Sequence, residues 1–358
     1  MQIDKNDIKR ILVLRYRSIG DIVLAYPTLE ALRNTYPDAR IDLVIDDVFK
    51  EVCHGWTIVD HLFLSTRNRE GISKLSKLWN ELKFIWKVQR ERYNLVVDLH
   101  CGPRSAMLAF LSLAKYRIGN KLRPRNKVLY NIFPEPAGKG IHSVDVMLSL
   151  IAPLNPVIPK KKNLFFAYNK ENRAYINSLL ERMGIGEGEK FTVVHPGARV
   201  DFKMLPPRIM GEVVGYIVSE FGSKVMLVGS DTEITSISEV AQASGRKCGV
   251  ATNLSIGQLA ALMDRSEMFL GNDSGPMHIA SALGKPVVAF FGPSDPVIWA
   301  PWNNKGKVVN APVMECMPCD QKGCHLVPEH CMSKIEVGKI KRAVASILNK
   351  NRAPVGED

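Results

Sequence analysis

The sequence predicts an α/β protein built from two doubly wound parallel sheets. Short apolar runs alternate with amphipathic helical segments through both halves of the chain, and several runs end in a glycine-containing turn that opens a helix. A Pro- and Lys-rich stretch at 153–162 interrupts this alternation, which then begins again. At 358 residues the chain is also long enough for two such domains. We therefore predict two similar halves with a ligand cleft between them.

Each predicted element follows from its hydrophobic period. Short, continuously apolar runs predict buried strands, and apolar residues recurring every three or four positions predict helices. The predicted strands are 11–14, 41–45, 59–64, 95–97, 191–194, 224–228, 268–270 and 286–291. The predicted helices are 22–36, 74–92, one ending near 113, 171–183, 206–221, 232–243, 255–264 and 335–348. This pattern divides the chain into an N-terminal domain (1–158), a C-terminal domain (164–334) and a terminal helical segment (335–358).

Composition narrows the class of protein. With 46% hydrophobic and 23% charged residues and no run of 18 apolar residues, the chain is typical of a globular protein without a membrane span. Its first ten residues are too charged for a signal peptide, so we expect a cytoplasmic protein. Seven cysteines in a chain of this length do not indicate a secreted disulfide scaffold.

The positive charge is concentrated in the first half. Of the net +12, residues 1–162 carry +11, and the densest patch, 115–127, contains no acidic residue. Solubility alone is one explanation. The other is an anionic partner such as a phosphorylated lipid, a membrane surface or nucleic acid. Nucleic acid is the weaker option, because the patch lacks interleaved aromatic residues and no recognition-helix motif is present.

The segment Gly-Asn-Asp-Ser-Gly-Pro-Met-His at 271–278 is the most informative motif. It follows one apolar run and opens a helical pattern, so it sets small residues and free backbone N–H groups at a helix N-terminus. Such ends attract phosphate, because the helix dipole is positive there. We predict a site for a phosphorylated ligand, with Asp273 and His278 at its rim.

Three further turns follow predicted strands. In the first, Asp21 reads either as a helix N-cap or as a general base for an acceptor hydroxyl. In the second, His-Pro-Gly-Ala-Arg at 195–199 precedes Lys203, which is either a solvated lysine or a point charge for phosphate. In the third, Gly-Ser-Asp-Thr-Glu at 229–233 is either a helix cap or a carboxylate site for a ribose.

Other motifs are absent or open to two interpretations. The glycines fit neither the G-x-G-x-x-G fingerprint nor the P-loop, which weakens dehydrogenase and nucleoside-triphosphatase functions. The cysteines at 316, 319, 324 and 331 are spaced for zinc or an iron–sulfur cluster. Structural thiols, able to form a disulfide, are the alternative, and we expect no metal.

The order of these motifs resembles glycosyltransferase family 9, the ADP-heptose:lipopolysaccharide heptosyltransferases. The resemblance rests on Ser-Ile-Gly-Asp at 18–21, His-Pro-Gly-Ala at 195–198 with Lys203, Gly-Ser-Asp at 229–231 and the 271–278 segment. Phe-Gly-Pro-Ser-Asp-Pro at 291–296 and the cysteine tail are also similar, and the likeness spans roughly 10–345. It implies a GT-B fold, two Rossmann-like domains facing across a cleft, with the C-terminal helix packing back toward the N-terminal domain.

The resemblance also implies an activity and a set of site residues. The activity is inverting transfer of heptose from ADP-heptose to an anionic, lipid-linked lipopolysaccharide precursor at the cytoplasmic face of the inner membrane, with no cofactor. Asp21 matches the general base, and Ser18, Gly20 and Arg104 are assigned to the acceptor. The donor residues are Lys203 for the diphosphate, Glu233 for the ribose, Leu254 for the adenine, and Asp273, Ser274, Gly275 and His278 for the phosphate and sugar.

Two departures leave the sugar open. Lys-Met-Leu-Pro at 203–206 replaces the common Lys-x-Trp-Pro, which puts the packing behind Lys203 in question, and Asn-Asp-Ser at 272–274 replaces an Asp-Thr variant. Three alternatives remain: a GT-B transferase that uses a UDP-sugar or another nucleotide sugar, a non-catalytic polyanion- or membrane-binding protein on the same fold, and a Rossmann oxidoreductase.

Overall fold

The computed structural model describes residues 3–66, 73–121, 124–317, 319, 321–327 and 329–350. The chain forms two compact units, Met1–Phe165 and Phe166–Asp358. Each unit has one wholly parallel sheet with helices in the connections, so the predicted α/β class with two doubly wound sheets is confirmed. The break between the units follows the Pro- and Lys-rich stretch.

Unit 1 is a sheet of order β3-β2-β1-β4-β5. Its central strand, β1, pairs in parallel with β2 and β4, and all but its first residue are buried, which explains the continuous apolar run. The elements of unit 1 are β1 (Arg10–Leu14), α1 (Ile19–Thr35), β2 (Arg40–Asp46), β3 (His61–Ser65), α2 (Lys74–Arg90), β4 (Leu95–Asp98), α3 (Pro103–Leu111), β5 (Tyr116–Ile118), α4 (Asn126–Leu129) and α5 (Ser143–Leu150). Short 3-10 turns cover Lys5–Asp7, Asp47–Cys53 and Ala152–Leu154.

Unit 2 repeats the arrangement with the order β11-β10-β9-β6-β7-β8. Its elements are α6 (Lys170–Arg182), β6 (Phe191–His195), α7 (Pro207–Phe221), β7 (Lys224–Gly229), α8 (Ile234–Ser244), β8 (Gly249–Thr252), α9 (Ile256–Arg265), β9 (Met268–Asn272), α10 (Gly275–Ala282), β10 (Val287–Phe291), α11 (Pro296–Trp299), β11 (Lys307–Asn310) and α12 (Val337–Leu348). Short 3-10 turns cover Asp201–Lys203, Asp231–Glu233 and Cys331–Lys334.

Local sequence sets where the helices of unit 2 begin and end. Ser255 caps α9 through its side chain, and Gln258 completes the capping box. Gly222 and Gly245 end α7 and α8 in the left-handed region, with φ of 56° and 59°, where a side chain would be strained. Each of these helices ends a few residues before the strand that follows it, α7 before β7 and α8 before β8.

The terminal helix α12 packs within unit 2. Its apolar face, including Ile340 and Val344, joins the buried cluster formed by α7 and the sheet. The packing of 335–358 toward the N-terminal domain stays a prediction, and residues 351–358 lie outside the described part of the chain. Within the described ranges, no helix combines the length and hydropathy needed to cross a bilayer.

Candidate active site

The sequence-predicted donor residues of unit 2 lie in the segments that follow β6, β7, β8 and β9. Because all strands of the sheet are parallel, these turns share the carboxyl edge, which is where open α/β sheets bind their ligands. Neighbouring strand ends bring residues distant in sequence together. One example is His195 at the end of β6, whose register partner is Gly271 of β9.

Lys203 and Asp273 form an ion pair at this edge. The Lys203 Nζ lies 3.0 Å from Oδ2 of Asp273, and the two side chains are only 10% and 13% exposed. Ser294, on the turn after β10, donates to the same Asp273 oxygen at 2.5 Å. The lysine is therefore a nearly buried cation whose position is fixed, rather than the solvated surface lysine that the sequence left open.

Asn272 fixes the loop that carries Lys203. Its side-chain oxygen accepts from the Leu205 backbone N–H at 2.9 Å, and its amide donates to the Pro196 carbonyl at 2.7 Å. Leu205, at the position where the family pattern has Trp, is buried in the unit 2 core. Where the family pattern has Trp, a buried leucine thus packs beside Lys203 instead.

Glu233 joins a second group at the same edge. Its Oε1 lies 3.4 Å from Nε2 of His195, and its Oε2 accepts from the Ser230 backbone N–H at 2.8 Å. Burial raises the pKa of Glu233, but the hydrogen bonds and charge of His195 together with the Ser230 contacts outweigh it and lower this pKa to about 2. Ser274 lies on the other side of the imidazole, with its Oγ 3.5 Å from Nδ1. Glu233 is therefore a carboxylate at neutral pH that is both a helix cap and an acceptor at the edge.

Gly197 allows this carboxylate to approach the backbone. A Cβ added at Gly197 would lie 1.7 Å from Oε1 of Glu233, so any side chain there would force the carboxylate to move. The neighbouring turn after β8 is tied to the same region, since Asn253 donates its backbone N–H to the Gly229 carbonyl. Leu254, half-buried, follows that residue.

The N-terminus of α10 lies directly after Asp273, with Ser274 as its N-cap residue and Gly275 as its first residue. His278 lies in the first turn of this helix and is 3% exposed. Its place at the rim of a ligand site therefore stays a prediction.

In unit 1, Asp21 lies in the first turn of α1, after β1. Arg15 donates to its Oδ1 at 2.5 Å, while the backbone N–H and hydroxyl of Ser18 donate to its Oδ2 at 3.0 and 3.2 Å. The side chain is 24% exposed. Asp21 is thus part of a capping box, and it is also a partly accessible carboxylate in a fixed orientation. The N-cap residue itself is Ser18, and Asp21 completes the box from the third helical position, while its role as a general base stays a prediction.

Arg104 begins a second charged group on unit 1. It donates to both Glu81 oxygens at 2.8 and 2.7 Å and to Ser65 at 2.9 Å, and its guanidinium lies 4.7 Å from the centre of the Tyr16 ring. Of these partners, the sequence analysis named none. They lie just after β1, at the end of β3 and on α2, so only the folded sheet edge brings them together.

His100 was not among the predicted site residues. The charges of Asp21 and Arg104 both influence its pKa. Burial lowers its pKa to about 4, with the charge of Arg15 as the next cause. At physiological pH the His100 imidazole is therefore neutral, and it lies close enough to Asp21 for their charges to interact. The signal that could have found it is its place directly after β4, at the same carboxyl edge as Asp21.

The cysteine segment packs beneath the turn after β10. Cys331 is buried, and a Cβ added at Gly292 would lie 2.7 Å from its Sγ. All seven cysteines are free thiols. Burial raises the pKa of Cys331, and the nearby thiols of Cys324, Cys316 and Cys319 add to this. Among the residues that the structure describes, no group of three or more His, Cys, Asp or Glu side chains is placed to hold a metal ion.

The basic patch at 115–127 is only partly described, because residues 122–123 lie outside the described ranges. Lys115 forms an ion pair with Asp7, and the guanidinium of Arg117 lies 5.7 Å from the centre of the Phe110 ring. These partners show that part of the patch serves local packing and charge pairing.

Comparison with known proteins identifies a family that the chain matches. Residues 81–330 match glycosyltransferase family 9 (heptosyltransferase). The lipopolysaccharide heptosyltransferase 3 of Escherichia coli is 25% identical over 294 residues, which are 80% of this chain and 84% of that protein. The lipopolysaccharide heptosyltransferase 1 of Campylobacter coli is 22% identical over 79% of this chain and 84% of its own length.

Solved structures share the fold. The family 9 glycosyltransferase of Veillonella parvula superposes with a TM-score of 0.80 at 24% identity, covering 96% of this chain and 97% of that one. The ADP-heptose lipopolysaccharide heptosyltransferase II of E. coli gives 0.75 at 18% identity, covering 96% and 100%. The E. coli heptosyltransferase WaaC with ADP gives 0.73 at 18%, covering 94% and 99%. The GT-B architecture of two Rossmann-like units is thus shared with heptosyltransferase structures.

Proposed function

The chain belongs to glycosyltransferase family 9 and is a glycosyltransferase, and we propose that it transfers heptose from ADP-heptose to a lipid-linked lipopolysaccharide precursor, with inversion at the anomeric carbon. The observation that carries the proposal is the nearly buried Lys203–Asp273 pair beside the N-terminus of α10. A fixed cation next to free helix N–H groups suits a pyrophosphate. The solved WaaC complex with ADP, which has the same fold, supports the choice of nucleotide.

We propose that the donor is held at the carboxyl edge of unit 2. Lys203 and the N–H groups at Ser274 and Gly275 contact the diphosphate, and Asp273 accepts a hydrogen bond from a sugar hydroxyl. Glu233, which its low pKa keeps ionised, accepts from a ribose hydroxyl. Leu254 packs against the adenine. His278, being buried, orients α10 rather than contacting the ligand.

We propose that the acceptor is held by unit 1. Asp21 is the general base, and Arg15 and Ser18 keep its carboxylate in one orientation. Ser18 and Gly20 line the turn at which the acceptor hydroxyl is deprotonated. Arg104 binds an anionic group of the acceptor, which suits an inner-core precursor bearing carboxylates and phosphates.

The proposed step is a single displacement. Asp21 takes the proton from the acceptor hydroxyl, whose oxygen forms a bond to the anomeric carbon of the heptose. The bond between that carbon and the β-phosphate oxygen breaks, and its electron pair leaves with ADP. Lys203 and the α10 N–H groups stabilise the developing charge, and one direct attack inverts the anomeric configuration. The proposed step draws on no metal and no cofactor.

A nucleotide panel tests the proposal. A ligand that binds only the folded state raises its stability, so ADP and ADP-heptose should raise the Tm, and UDP and UDP-sugars should not. A shift with UDP alone would instead identify a UDP-sugar transferase. No nucleotide response together with binding to a polyanion would indicate a non-catalytic adaptor, and quenching of NADH fluorescence would indicate an oxidoreductase.

A further inference from the structure

Helix α2 has two different faces. On its inner side, Phe84 and Ile85 pack against the unit 1 core and Val88 is fully buried. These residues account for the attachment of α2 to the sheet. The apolar residues on the opposite side of the helix are exposed instead.

That outer side carries large, exposed apolar side chains. They recur at spacings of three or four residues, so they lie along one stripe of the helix surface. The members of the stripe are Leu75 (78% exposed), Leu78 (57%), Trp79 (59%), Leu82 (50%) and Trp86 (55%). Single exposed apolar residues are ordinary, but a stripe of five that includes two indoles indicates a surface that something covers.

Among the described residues of α2, the charges beside this stripe are positive. Lys83 lies over the Trp79 ring, 5.4 Å from its centre, and Arg90 lies 4.6 Å from the centre of the Trp86 ring. Lys87 is exposed as well. Glu81 is the only acidic residue in the sequence of α2, and it faces inward, where both its oxygens accept from Arg104. Within α2, the outer face is therefore apolar and bordered by cations.

We propose that this stripe of α2 docks on an anionic lipid surface. Indole rings favour the boundary between head groups and acyl chains, and lysine and arginine pair with anionic head groups while their stems lie along the apolar layer. The choice of a lipid surface rests on the proposed function, in which the acceptor is lipid-linked. Charge argues against a second copy of the chain, because a symmetric contact would bring two cationic faces together.

The inner side of the same helix gives the docking a consequence. Lys77 and Asn80 line a cavity that is completed by Ser65 and Arg104. Docking the outer face would therefore hold this cavity within one helix diameter of the lipid surface, about 10 Å. An acceptor anchored in that surface could place its anionic sugar beside Arg104 without leaving the bilayer.

Vesicle co-sedimentation of the full chain tests the proposal. The wild-type protein should bind phosphatidylcholine vesicles that contain phosphatidylglycerol, and it should bind pure phosphatidylcholine weakly. The double variant Trp79→Ser/Trp86→Ser should lose roughly tenfold or more in affinity. Lys83→Glu/Lys87→Glu should lose binding chiefly at low salt, where unscreened charge contributes most. Tyr175→Ser, which removes an exposed aromatic ring from α6, is the matched control and should bind like wild type.

Two measurements keep the outcomes distinct. Urea midpoints equal to wild type show that the variants are folded, and light scattering gives their oligomeric state. Equal vesicle binding by wild type and the tryptophan variant would overturn the proposal. It would also be overturned if the wild-type protein is a dimer and the tryptophan variant is a monomer. ADP-heptose titration without vesicles is independent of docking. Vesicle binding with no donor binding would sink the proposed function alone, and donor binding with no vesicle binding would sink the docking alone.

Discussion

The Nζ of Lys203 lies 3.0 Å from Oδ2 of Asp273, seventy residues away in the chain. Both side chains are nearly buried, so each charge is compensated mainly by the other. The pair exists because β6 and β9 are neighbours in the sheet, and the loop after one strand meets the turn after the other. In the proposed enzyme the same lysine neutralises the donor diphosphate.

Replacing Lys203 by alanine should reduce both stability and donor affinity. The free energy of unfolding falls by about 3 kcal/mol, because Asp273 is left without its cation. ADP affinity falls roughly 10- to 100-fold, because the diphosphate loses a charged partner. Urea unfolding and calorimetric titration measure the two effects. The double variant Lys203→Met/Asp273→Asn should recover much of the stability while its donor affinity stays low. Unchanged ADP affinity in the single variant would remove the lysine from the donor site.

A methyl group at position 197 should disturb the proposed ribose site. In Gly197→Ala the new Cβ meets the Glu233 carboxylate, so Glu233 must move away from His195. We expect ADP affinity to fall about tenfold, the loss of one hydrogen bond to a charged group. Gly186→Ala, whose Cβ would meet nothing within 4 Å, is the matched control. Equal affinities in the two variants would argue against Glu233 as a ligand of the nucleotide.

His100 should make folding depend on pH in a defined window. Burial and the charge of Arg15 lower its pKa from 6.5 to about 4, and Arg17 and Arg104 act in the same direction while Asp21 opposes them. Between pH 6.5 and 4 the unfolded chain binds the proton more readily, so stability falls as pH falls through this range. Above pH 6.5 the residue contributes no slope.

The variant His100→Gln isolates this effect. The stability difference between wild type and variant should change by no more than about 3 kcal/mol from pH 6.5 to pH 4, in the direction that favours the variant at low pH. Urea midpoints at constant ionic strength measure it. A difference that stays constant with pH would mean that the imidazole titrates normally.

The fold was predictable where the sequence carried a strong period. The continuous apolar runs of β1, β6 and β10 are typical of strands buried on both faces, and these strands are buried in the structure. The edge strand β11 escaped notice because only one of its four residues is buried, so it carries no hydrophobic signal. The edge strands β5 and β8, with three and four residues, were also not predicted, and neither was helix α5.

The site was predictable as a list of strand-end residues but not as a set of contacts. Asp21 in unit 1, and Lys203 and Asp273 in unit 2, could be named as candidates because turns after the parallel strands of one sheet share the edge of that sheet, and their roles stay proposals. The partnership of Asp21 with Arg15 depends on the exact path of the turn, and that of Arg104 with Glu81 on how α2 lies against the sheet. Neither path is encoded in residue spacing.

The most direct test of the account is heptose transfer by Asp21→Asn. The variant keeps an oxygen for the helix cap but cannot take a proton, so transfer should fall at least ~10²-fold while donor affinity is retained. Asp38→Asn, an exposed acid beyond the other end of α1, is the matched control and should transfer at the wild-type rate. Mass spectrometry of the acceptor and release of ADP report the reaction. Near-normal turnover by Asp21→Asn would contradict the account.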